Sequence, residues 1–292
     1  MKLRRSLIAM AAALAAAACG APAPQEDWPP PSPALWLVEN GNGEREGWLF
    51  GTIHALPGGV QWRTAELQSA LDQSDALALE ISPQDQGNTS AIFSKLGTTP
   101  SLPPLSKRID AAYRDDLTGL LGKTDYSDDD FSSVETWAAA LTLAAAASSG
   151  DYSNGVDRAL GQEFENVLIL EGALAQLSIF DNLPEEEQAD LLEAIIAESA
   201  GQDKNGKRDL ARAWLAGDME SIAREADKGM LADAELRDAL LIQRNLEWAG
   251  TIDQWLKEKG LILVAVGAAH MTGDDGLPAL MRQRGYTVTR IQ

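Results

Sequence analysis

The 292-residue sequence contains one cysteine and two histidines, and this scarcity excludes several kinds of protein. No disulfide can form within the chain because a second cysteine is absent, so an exported domain of this sequence must be stabilised by its core. There is no G-x-S-x-G nucleophile elbow and no glycine-rich phosphate loop with its lysine. These absences argue against a serine nucleophile of that type and against a P-loop nucleotide site.

Basic residues are also scarce. The chain has 24 Lys and Arg against 44 Asp and Glu, which gives a formal net charge of -20. Binding to nucleic acid requires basic patches that neutralise phosphates, and the basic clusters here are short. We therefore predict no nucleic-acid partner, and we interpret most of the acidic residues as a solvated surface.

The apolar run near the N-terminus is too short for a permanent membrane span. Met1–Arg5 carry three positive charges, residues 7–18 are apolar, and small residues lead to Cys19. This pattern is typical of an export signal. The three alanines before Cys19 resemble a bacterial lipobox, which predicts a signal peptide at 1–18, acylation of Cys19 and a lipid anchor as the only membrane attachment; a plain secretory signal cut elsewhere is the alternative. The absence of an aspartate after Cys19 favours the periplasmic face of the outer membrane.

Residues 19–34 are rich in proline and predict a stiff tether rather than a packed core. The folded domain is then expected to span residues 35–292. Apolar patterning and an Asn-Gly-Asn-Gly turn predict a hairpin of strands at 35–39 and 48–52. Further strands are predicted at 76–81, 167–170 and 286–291, with helices at 63–73, 110–121, 133–147, 156–165 and 277–284. Residues 185–258 read as almost wholly helical, with breaks near 201–206 and 217.

Both histidines occur in the same local pattern. His54 follows an apolar run and Gly51, and His270 follows an apolar run and Gly267, each with two residues between glycine and histidine. Each half then continues as loop, helix and strand, which indicates a degenerate internal repeat. The sequence therefore predicts an α+β (mixed α/β) domain with a central mixed sheet built from the N- and C-terminal parts, surrounding helices and a large helical insertion at about 107–258. Two such units in one sheet would bring the histidines together.

Four residues that can bind metal or move protons come at strand ends: His54, Glu80, Glu171 and His270. In open α/β sheets, ligands bind at the carboxyl ends of the strands. Glu80 follows the apolar run Ala76–Leu79, where an unpaired carboxylate is costly to bury, so it needs a partner. Two histidines with one or two carboxylates match a hydrolytic divalent-metal site, with carboxylate-rich sets favouring Mn or Co over structural Zn.

Simpler interpretations remain open for several of these residues. Glu171 can cap the next helix or pair with an arginine, and either histidine can be a core or capping residue. The two glycines can mark tight strand exits under either interpretation. Four tryptophans fall at helical positions and are predicted as core anchors rather than a ligand cage: Trp137, Trp214, Trp248 and Trp255.

Several short motifs follow one another along residues 35–292. They are Phe50-Gly51-Thr52-Ile53-His54, Leu79-Glu80, Gly155-Val156-Asp157 with Leu170-Glu171 and Gln176, Trp214-Leu215-Ala216-Gly217-Asp218, Arg244-Asn245 with Trp248, and Val266-Gly267-Ala268-Ala269-His270. In this order and spacing they resemble the TraB/GumN family, which includes the Tiki proteases and is distantly similar to erythromycin-esterase-like and ChaN-like proteins. The resemblance implies a mixed sheet with surrounding helices and a metal-dependent peptidase or hydrolase site. His54, Glu80 and His270 match its paired G-x-x-H motifs and strand glutamate, and Arg244 with Asn245 matches a further polar pair.

The sequence thus predicts an exported lipoprotein that hydrolyses a peptide or small-molecule substrate with a divalent cation (Mn, Co or Zn). The predicted metal ligands are His54, Glu80 and His270. The candidate catalytic residues are Glu80, Glu171, Arg244 and Asn245. One carboxylate would take the proton of the metal-bound water, and the arginine would steady the oxyanion. Two alternatives remain: a metal-independent, esterase-like hydrolase with a histidine as base, and a non-catalytic envelope lipoprotein that binds a ligand, metal or haem.

Overall fold

The computed structural model describes residues 28–147, 152–201 and 206–292. In these ranges the chain forms one mixed six-stranded sheet with helices packed on both faces, together with a helical lobe that has its own core. The predicted α+β class is confirmed. The predicted signal peptide and Cys19 lie outside the described residues.

The sheet places four parallel strands side by side. The strands are β1 (Leu35–Glu39), β2 (Arg45–Thr52), β3 (Ala76–Leu79), β4 (Val167–Ile169), β5 (Ile262–Gly267) and β6 (Thr287–Arg290). Their order across the sheet is β4-β3-β5-β2-β1-β6. β4, β3, β5 and β2 pair in parallel, whereas β1 is antiparallel to both β2 and β6. The carboxyl ends of four neighbouring strands therefore meet at one edge of the sheet.

The helices occupy most of the remaining chain. They are α1 (Ala65–Gln73), α2 (Pro83–Leu96), α3 (Arg114–Leu121), α4 (Thr136–Ala147), α5 (Val156–Gly161), α6 (Ala173–Asp181), α7 (Glu185–Gly201), α8 (Gly206–Leu215), α9 (Met219–Ala226), α10 (Ala234–Arg237), α11 (Gln243–Glu258) and α12 (Leu277–Gln283). Short 3-10 segments are Leu105–Lys107, Ala111–Tyr113, Asp128–Phe131, Tyr152–Asn154, Gly229–Ala232 and Ala268–Met271. A single π-turn, Asp238–Ile242, joins α10 to α11 in the part of the chain that the structure describes.

The predicted elements are present, most of them with shorter bounds, but β1 has the predicted bounds and β2 begins earlier than predicted, at Arg45. The hairpin of β1 and β2 forms as expected. The helical stretch predicted at 185–258 is interrupted after Leu215, where Gly217 has a φ of +66°. The helix predicted at 156–165 ends at Gly161. Residues 111–113 form a 3-10 turn ahead of α3, because Asp110 caps that turn by accepting from the Ala112 N–H.

Side chains alternate across the sheet, and both faces are covered. On β5, Ile262, Val264 and Val266 face the core formed with α11 and α12, while Leu263 and Ala265 face the core formed with α1, α5 and α8. A strand buried on both faces reads as a continuous apolar run, which is the pattern that β5 has in the sequence. The sheet is therefore a rigid base for the loops at its carboxyl edge.

The helical insertion divides into two parts. Helices α3, α4 and α7 form a separate core around Trp137, whereas α5, α8 and α11 pack on the sheet. Trp137, Trp214 and Trp248 are buried, and Trp255 is half-buried. The prediction that these tryptophans anchor cores is therefore confirmed for the first three, although Trp248 has a second role described below.

Residues 28–34, which the sequence places at the end of the tether, lie against the domain. The Ser32 N–H donates to the Leu215 carbonyl at 2.7 Å, and Ala34 is buried in the core of the sheet. None of the described helices is both long and apolar enough to cross a membrane.

The repeated G-x-x-H units lie next to each other in the sheet. β2 and β5 pair in parallel, but Gly51 is aligned with Val266, and Thr52 is aligned with Gly267. The two motifs are thus offset by one residue. Their histidines lie near each other but do not occupy equivalent positions.

Candidate active site

The four strand-end residues predicted from the sequence lie at one edge of the sheet. His54 follows β2, Glu80 follows β3, Glu171 follows β4, and His270 lies in the 3-10 turn that follows β5. Since these four strands are parallel neighbours, their ends present all four side chains on the same side of the domain. Arg244 and Asn245, at the start of α11, complete the group.

Gly267, the last residue of β5, is the point at which the predicted ligands meet. Its N–H donates to Glu80 Oε1 at 2.7 Å. A Cβ placed on Gly267 would lie 3.3 Å from His54 Nε2, 3.4 Å from Glu80 Oε1 and 3.7 Å from His270 Cδ2. The absence of a side chain at Gly267 therefore leaves the space between the two histidines and Glu80 open.

Arg244 joins the two glutamates. Its Nη2 lies 2.9 Å from Glu80 Oε2 and 2.9 Å from Glu171 Oε2, and its Nε lies 3.2 Å from the same Glu171 oxygen. Nη1 donates to the Leu240 carbonyl at 3.0 Å and faces His270 Nε2 at 3.3 Å. All three charged side chains are about nine-tenths buried, so this is a buried ion triad rather than a surface salt bridge.

The two glutamates of the triad have opposite pKa shifts. Burial opposes ionisation of Glu80, but the nearby histidines, Arg244 and the Gly267 N–H outweigh it and lower its pKa to about 2. Burial dominates at Glu171 and raises its pKa above the ordinary value, although Arg244 acts in the opposite direction. Glu80 is therefore the fixed anion of the site.

His270 is enclosed by one turn of α11. Its Nδ1 lies 2.6 Å from Asn245 Oδ1, and Asn245 Nδ2 donates to the Asp275 carbonyl at 2.8 Å. Because the amide is oriented in this way, its oxygen accepts from His270 Nδ1–H, and Nε2 keeps the lone pair. The ring also packs on Trp248, with centroids 4.5 Å apart. Burial lowers the pKa of His270 to about 3, so the imidazole is neutral at pH 7.

His54 has a different environment, and its side chain is 52% exposed. Its Nδ1 lies 3.1 Å from Asp157 Oδ1, at the start of α5. Desolvation disfavours the imidazolium, but the hydrogen bond to Asp157 and the charges of Glu80 and Asp157 outweigh it and raise the pKa of His54 to about 9. A Cβ at Gly155 would lie 2.5 Å from the His54 carbonyl oxygen, so only glycine allows the α5 start to approach this closely.

Three residues with roles at the site were not assigned as site residues from the sequence. Asp157 orients His54, Trp248 contacts both His270 and Arg244, and Gln176 approaches Glu80 Oε2 at 3.5 Å. All three residues stand in the motifs that carry the family resemblance, which is the signal that could have identified them. Cys19, the predicted lipidation site, lies outside the described residues.

The donor set fits a divalent cation in kind, because each histidine has an acceptor at Nδ1, which leaves Nε2 as the ligand atom. Only His54 turns Nε2 to the space at Gly267, whereas His270 presents Cδ2 there and turns Nε2 to Arg244. Closer geometry points to a competitor: Arg244 contacts Glu80 Oε2 and His270 Nε2, two of the predicted ligand atoms. Among the described residues, the one group of three or more His, Cys, Asp or Glu side chains with ligand atoms within 4.8 Å of one another is a different one. It consists of Glu187, Asp190 and Asp233. The prediction of a cation at His54, Glu80 and His270 therefore stays a prediction.

Comparisons with known proteins identify a family and two curated relatives. The model of the TraB/PrgY/gumN family matches residues 34–290, a range that contains every residue of the site. The uncharacterized protein YbaP of Shigella flexneri is 26% identical over 271 residues, which cover 85% of this chain and 97% of the relative. YbaP of Escherichia coli (strain K12) matches with the same identity and coverage. No solved structure matches. The chain belongs to the TraB/PrgY/gumN family.

Proposed function

We propose that this chain is a hydrolase that cleaves an amide or ester bond at the edge of the sheet where β2, β3, β4 and β5 end. One observation carries the proposal: a half-exposed histidine, His54, faces a buried carboxylate, Glu80, across a glycine that leaves the space between them open. Hydrolysis of a carbonyl compound needs a group that takes a proton, a group that polarises the carbonyl oxygen and access for water. This edge of the sheet offers all three.

Each side chain has a role in the proposed reaction. His54, Glu80 and His270 would hold a divalent cation (Mn, Co or Zn), which lowers the pKa of a bound water and polarises a carbonyl oxygen. Glu171 is the carboxylate left to accept the proton of the attacking water. Arg244 donates toward the oxygen that gains negative charge. Asn245 keeps the proton of His270 on Nδ1, so that Nε2 keeps its lone pair.

The metal-independent, esterase-like mechanism is the second candidate, and the contacts of Arg244 favour it. The guanidinium already lies against Glu80 and His270, and it supplies positive charge there without a cation. In this mechanism His54, oriented by Asp157, takes the proton of water at Nε2 once it is neutral, and its raised pKa of about 9 places that activity at alkaline pH. A strong chelator separates the two mechanisms, because it stops only the metal-dependent one.

The experiment uses the full chain, purified in detergent, stripped with a chelator and then loaded separately with Mn²⁺, Co²⁺ or Zn²⁺. A panel of p-nitrophenyl esters and fluorogenic peptides tests wild type beside His54→Ala and His270→Ala. We expect hydrolysis of at least one substrate class by the loaded wild type, and loss of this activity in both variants. The melting temperature should be unchanged in His54→Ala, whose side chain is half-exposed, and lower in His270→Ala, which loses a buried ring. Cleavage that survives chelation but needs His54 supports the second candidate. Equal turnover in wild type and both variants contradicts the proposal.

We further propose that the chain is an exported lipoprotein of the cell envelope, held at the periplasmic face of the outer membrane by acylated Cys19. The charged start, the short apolar run and the alanines before Cys19 support this localisation. An unidentified peptide or small molecule is the proposed substrate, and the acidic chain disfavours nucleic acid.

Cys19→Ala is expected to move the protein from the membrane fraction to the soluble fraction of the expressing bacterium. Loss of the thiol removes the acylation site, and the rest of the chain supplies no second lipid anchor in this proposal. Fractionation with immunoblotting and the intact mass of the wild-type protein check the prediction. Wild-type protein without a lipid mass increment would contradict acylation.

A further inference from the structure

The guanidinium of Arg244 is bound on two sides. On one side it contacts Glu80 Oε2 and His270 Nε2, which are predicted ligand atoms. On the other side it makes two contacts with Glu171 Oε2 and one with the Leu240 carbonyl, and it lies over the ring of Trp248 at 4.5 Å. The second set of contacts does not involve any predicted metal ligand.

We propose that Arg244 and a divalent cation compete for Glu80 and His270, and that Glu171 retains the guanidinium when the cation displaces it. This inference rests on the metal-dependent form of the proposed function. It assigns to Arg244 the role of an internal cation that fixes the affinity of the site. Glu171, besides the proton transfer proposed above, positions Arg244 through its Oε2 and in this way acts on cation affinity.

Competition follows from the number of free electron pairs. His270 Nε2 has one lone pair, because Nδ1 carries the proton that Asn245 accepts. That lone pair faces either the Arg244 N–H or a metal ion, but not both. Each carboxylate oxygen of Glu80 has two lone pairs, so Oε1 can bind a cation while it accepts from the Gly267 N–H, and Oε2 is the oxygen that Arg244 contacts. Arg244 therefore takes the lone pair of His270 Nε2 and one of the two Glu80 oxygens that would bind the cation.

Charge adds to this competition. Two positive groups within about 5 Å of one another in a buried site repel each other strongly, because the effective dielectric constant is far below that of water. Glu80, Glu171, Arg244 and His270 are all nearly buried, so solvent does not screen the repulsion. A bound cation thus favours movement of the guanidinium away from Glu80.

Glu171 provides the position to which Arg244 can withdraw. Two of the Arg244 nitrogens, Nε and Nη2, already contact Glu171 Oε2, and Nη1 contacts the Leu240 carbonyl. Leu240 lies in the π-turn before α11, where the Arg244 side chain serves as a donor to its carbonyl. Nη1 and Nη2 are also the atoms that contact His270 and Glu80, so the guanidinium leaves them by turning about its Nε contact with Glu171 Oε2.

The two residues should change cation affinity in opposite directions. Arg244→Gln removes the competing charge and is expected to raise the affinity for Co²⁺ at least about tenfold. Glu171→Gln weakens the position to which Arg244 withdraws, so the guanidinium stays on Glu80, and the affinity is expected to fall by about three- to tenfold. In the Arg244→Gln background, Glu171→Gln is expected to change the affinity by less than about twofold, because it has no arginine to act on.

The experiment is a calorimetric titration of the chelator-stripped full chain, in detergent, with Co²⁺, repeated by the visible absorption of the bound ion. Wild type, Arg244→Gln, Glu171→Gln and the double variant are compared. Arg224→Gln is the matched control, since it removes the same charge from an exposed i, i+4 pair with Glu220. His54→Ala reports whether binding occurs at the proposed site. The melting temperature of each variant, with and without Co²⁺, is the second readout and is expected to rise most on loading for Arg244→Gln.

The outcomes separate this inference from the proposed function. Tighter binding by Arg244→Gln with weaker binding by Glu171→Gln supports the inference. If wild type binds Co²⁺ through His54 but Arg244→Gln binds it no more tightly, the inference is wrong and the proposed site stands. If Glu171→Gln still lowers affinity in the double variant, Glu171 is a ligand, and its role through Arg244 is wrong. If no variant binds Co²⁺, both the inference and the metal-dependent function are wrong. If Arg244→Gln does not fold, the Glu171→Gln variant still tests the inference. An affinity of Glu171→Gln for Co²⁺ equal to or higher than that of wild type would contradict it.

Discussion

Arg244→Gln is expected to lower the free energy of unfolding of the chelator-treated protein by about 3–5 kcal/mol. Arg244 lies within 3 Å of carboxylate oxygens of both Glu80 and Glu171, and all three side chains are nearly buried. Without the guanidinium, two carboxylates remain close together in a site with little water. One of them must take up a proton, or the local structure must open to admit water. Urea unfolding, followed by circular dichroism, measures the loss.

A matched variant separates loss of charge balance from loss of packing. Changing Glu80, Glu171 and Arg244 to glutamine together removes the whole ion triad while it keeps side chains of similar size. We expect this triple variant to recover most of the stability that Arg244→Gln loses, because replacing a complete buried ion group is far less costly than breaking it. A loss below about 1 kcal/mol in Arg244→Gln alone is the size expected of an exposed pair and would contradict a buried ion triad.

The placement of the strand-end residues could be predicted from the sequence because it depends on local patterns. Each of the four residues follows an apolar run that is long enough for a strand, and parallel strands end at the same edge of a sheet. The repeated G-x-x-H pattern further indicated that two of these strands are related. Local sequence thus placed His54, Glu80, Glu171 and His270 together without information on long-range contacts.

The different environments of the two histidines could not be predicted, because they depend on register. The pairing of Thr52 with Gly267 offsets the two motifs by one residue, and nothing in either motif specifies this offset. The elements that cover each ring are also distant in the chain: His270 lies under α11 against Trp248, whereas His54 lies at the surface beside Asp157. The two histidines therefore differ although they occur in the same short motif. The buried ring of His270 is neutral, and the exposed ring of His54 has a raised pKa.

The ion triad of Glu80, Glu171 and Arg244 also could not be predicted from the sequence. Arg244 is 73 residues from Glu171 and 164 residues from Glu80, and such a separation leaves no local pattern. Glu80 interrupts an apolar stretch, so the need for a partner could be predicted, but the identity of the partner could not. The π-turn before α11 was likewise missed, because helical periodicity continues on both sides of it.

Gly267→Ala is expected to reduce hydrolysis at least about a hundredfold while it changes the free energy of unfolding by less than about 1 kcal/mol. The backbone of Gly267, with φ of -48° and ψ of 136°, suits any residue, so alanine causes no backbone strain. Its methyl group would nevertheless lie 3.3 Å from His54 Nε2 and 3.4 Å from Glu80 Oε1. These contacts are tight enough to displace the reacting groups by a few tenths of an ångström and to fill the space that water or the substrate carbonyl needs.

The measurement compares initial rates and urea unfolding of Gly267→Ala with those of Gly119→Ala. Gly119 lies in the exposed part of α3, and a Cβ there meets no atom within 4 Å. The control is expected to keep wild-type turnover and to gain stability slightly, since alanine is the better helix former. A Gly267→Ala protein that unfolds like wild type but no longer turns over substrate would place the reaction between His54 and Glu80. Full turnover by Gly267→Ala would contradict that location, because no reacting carbonyl could then pass through the space that the methyl group fills.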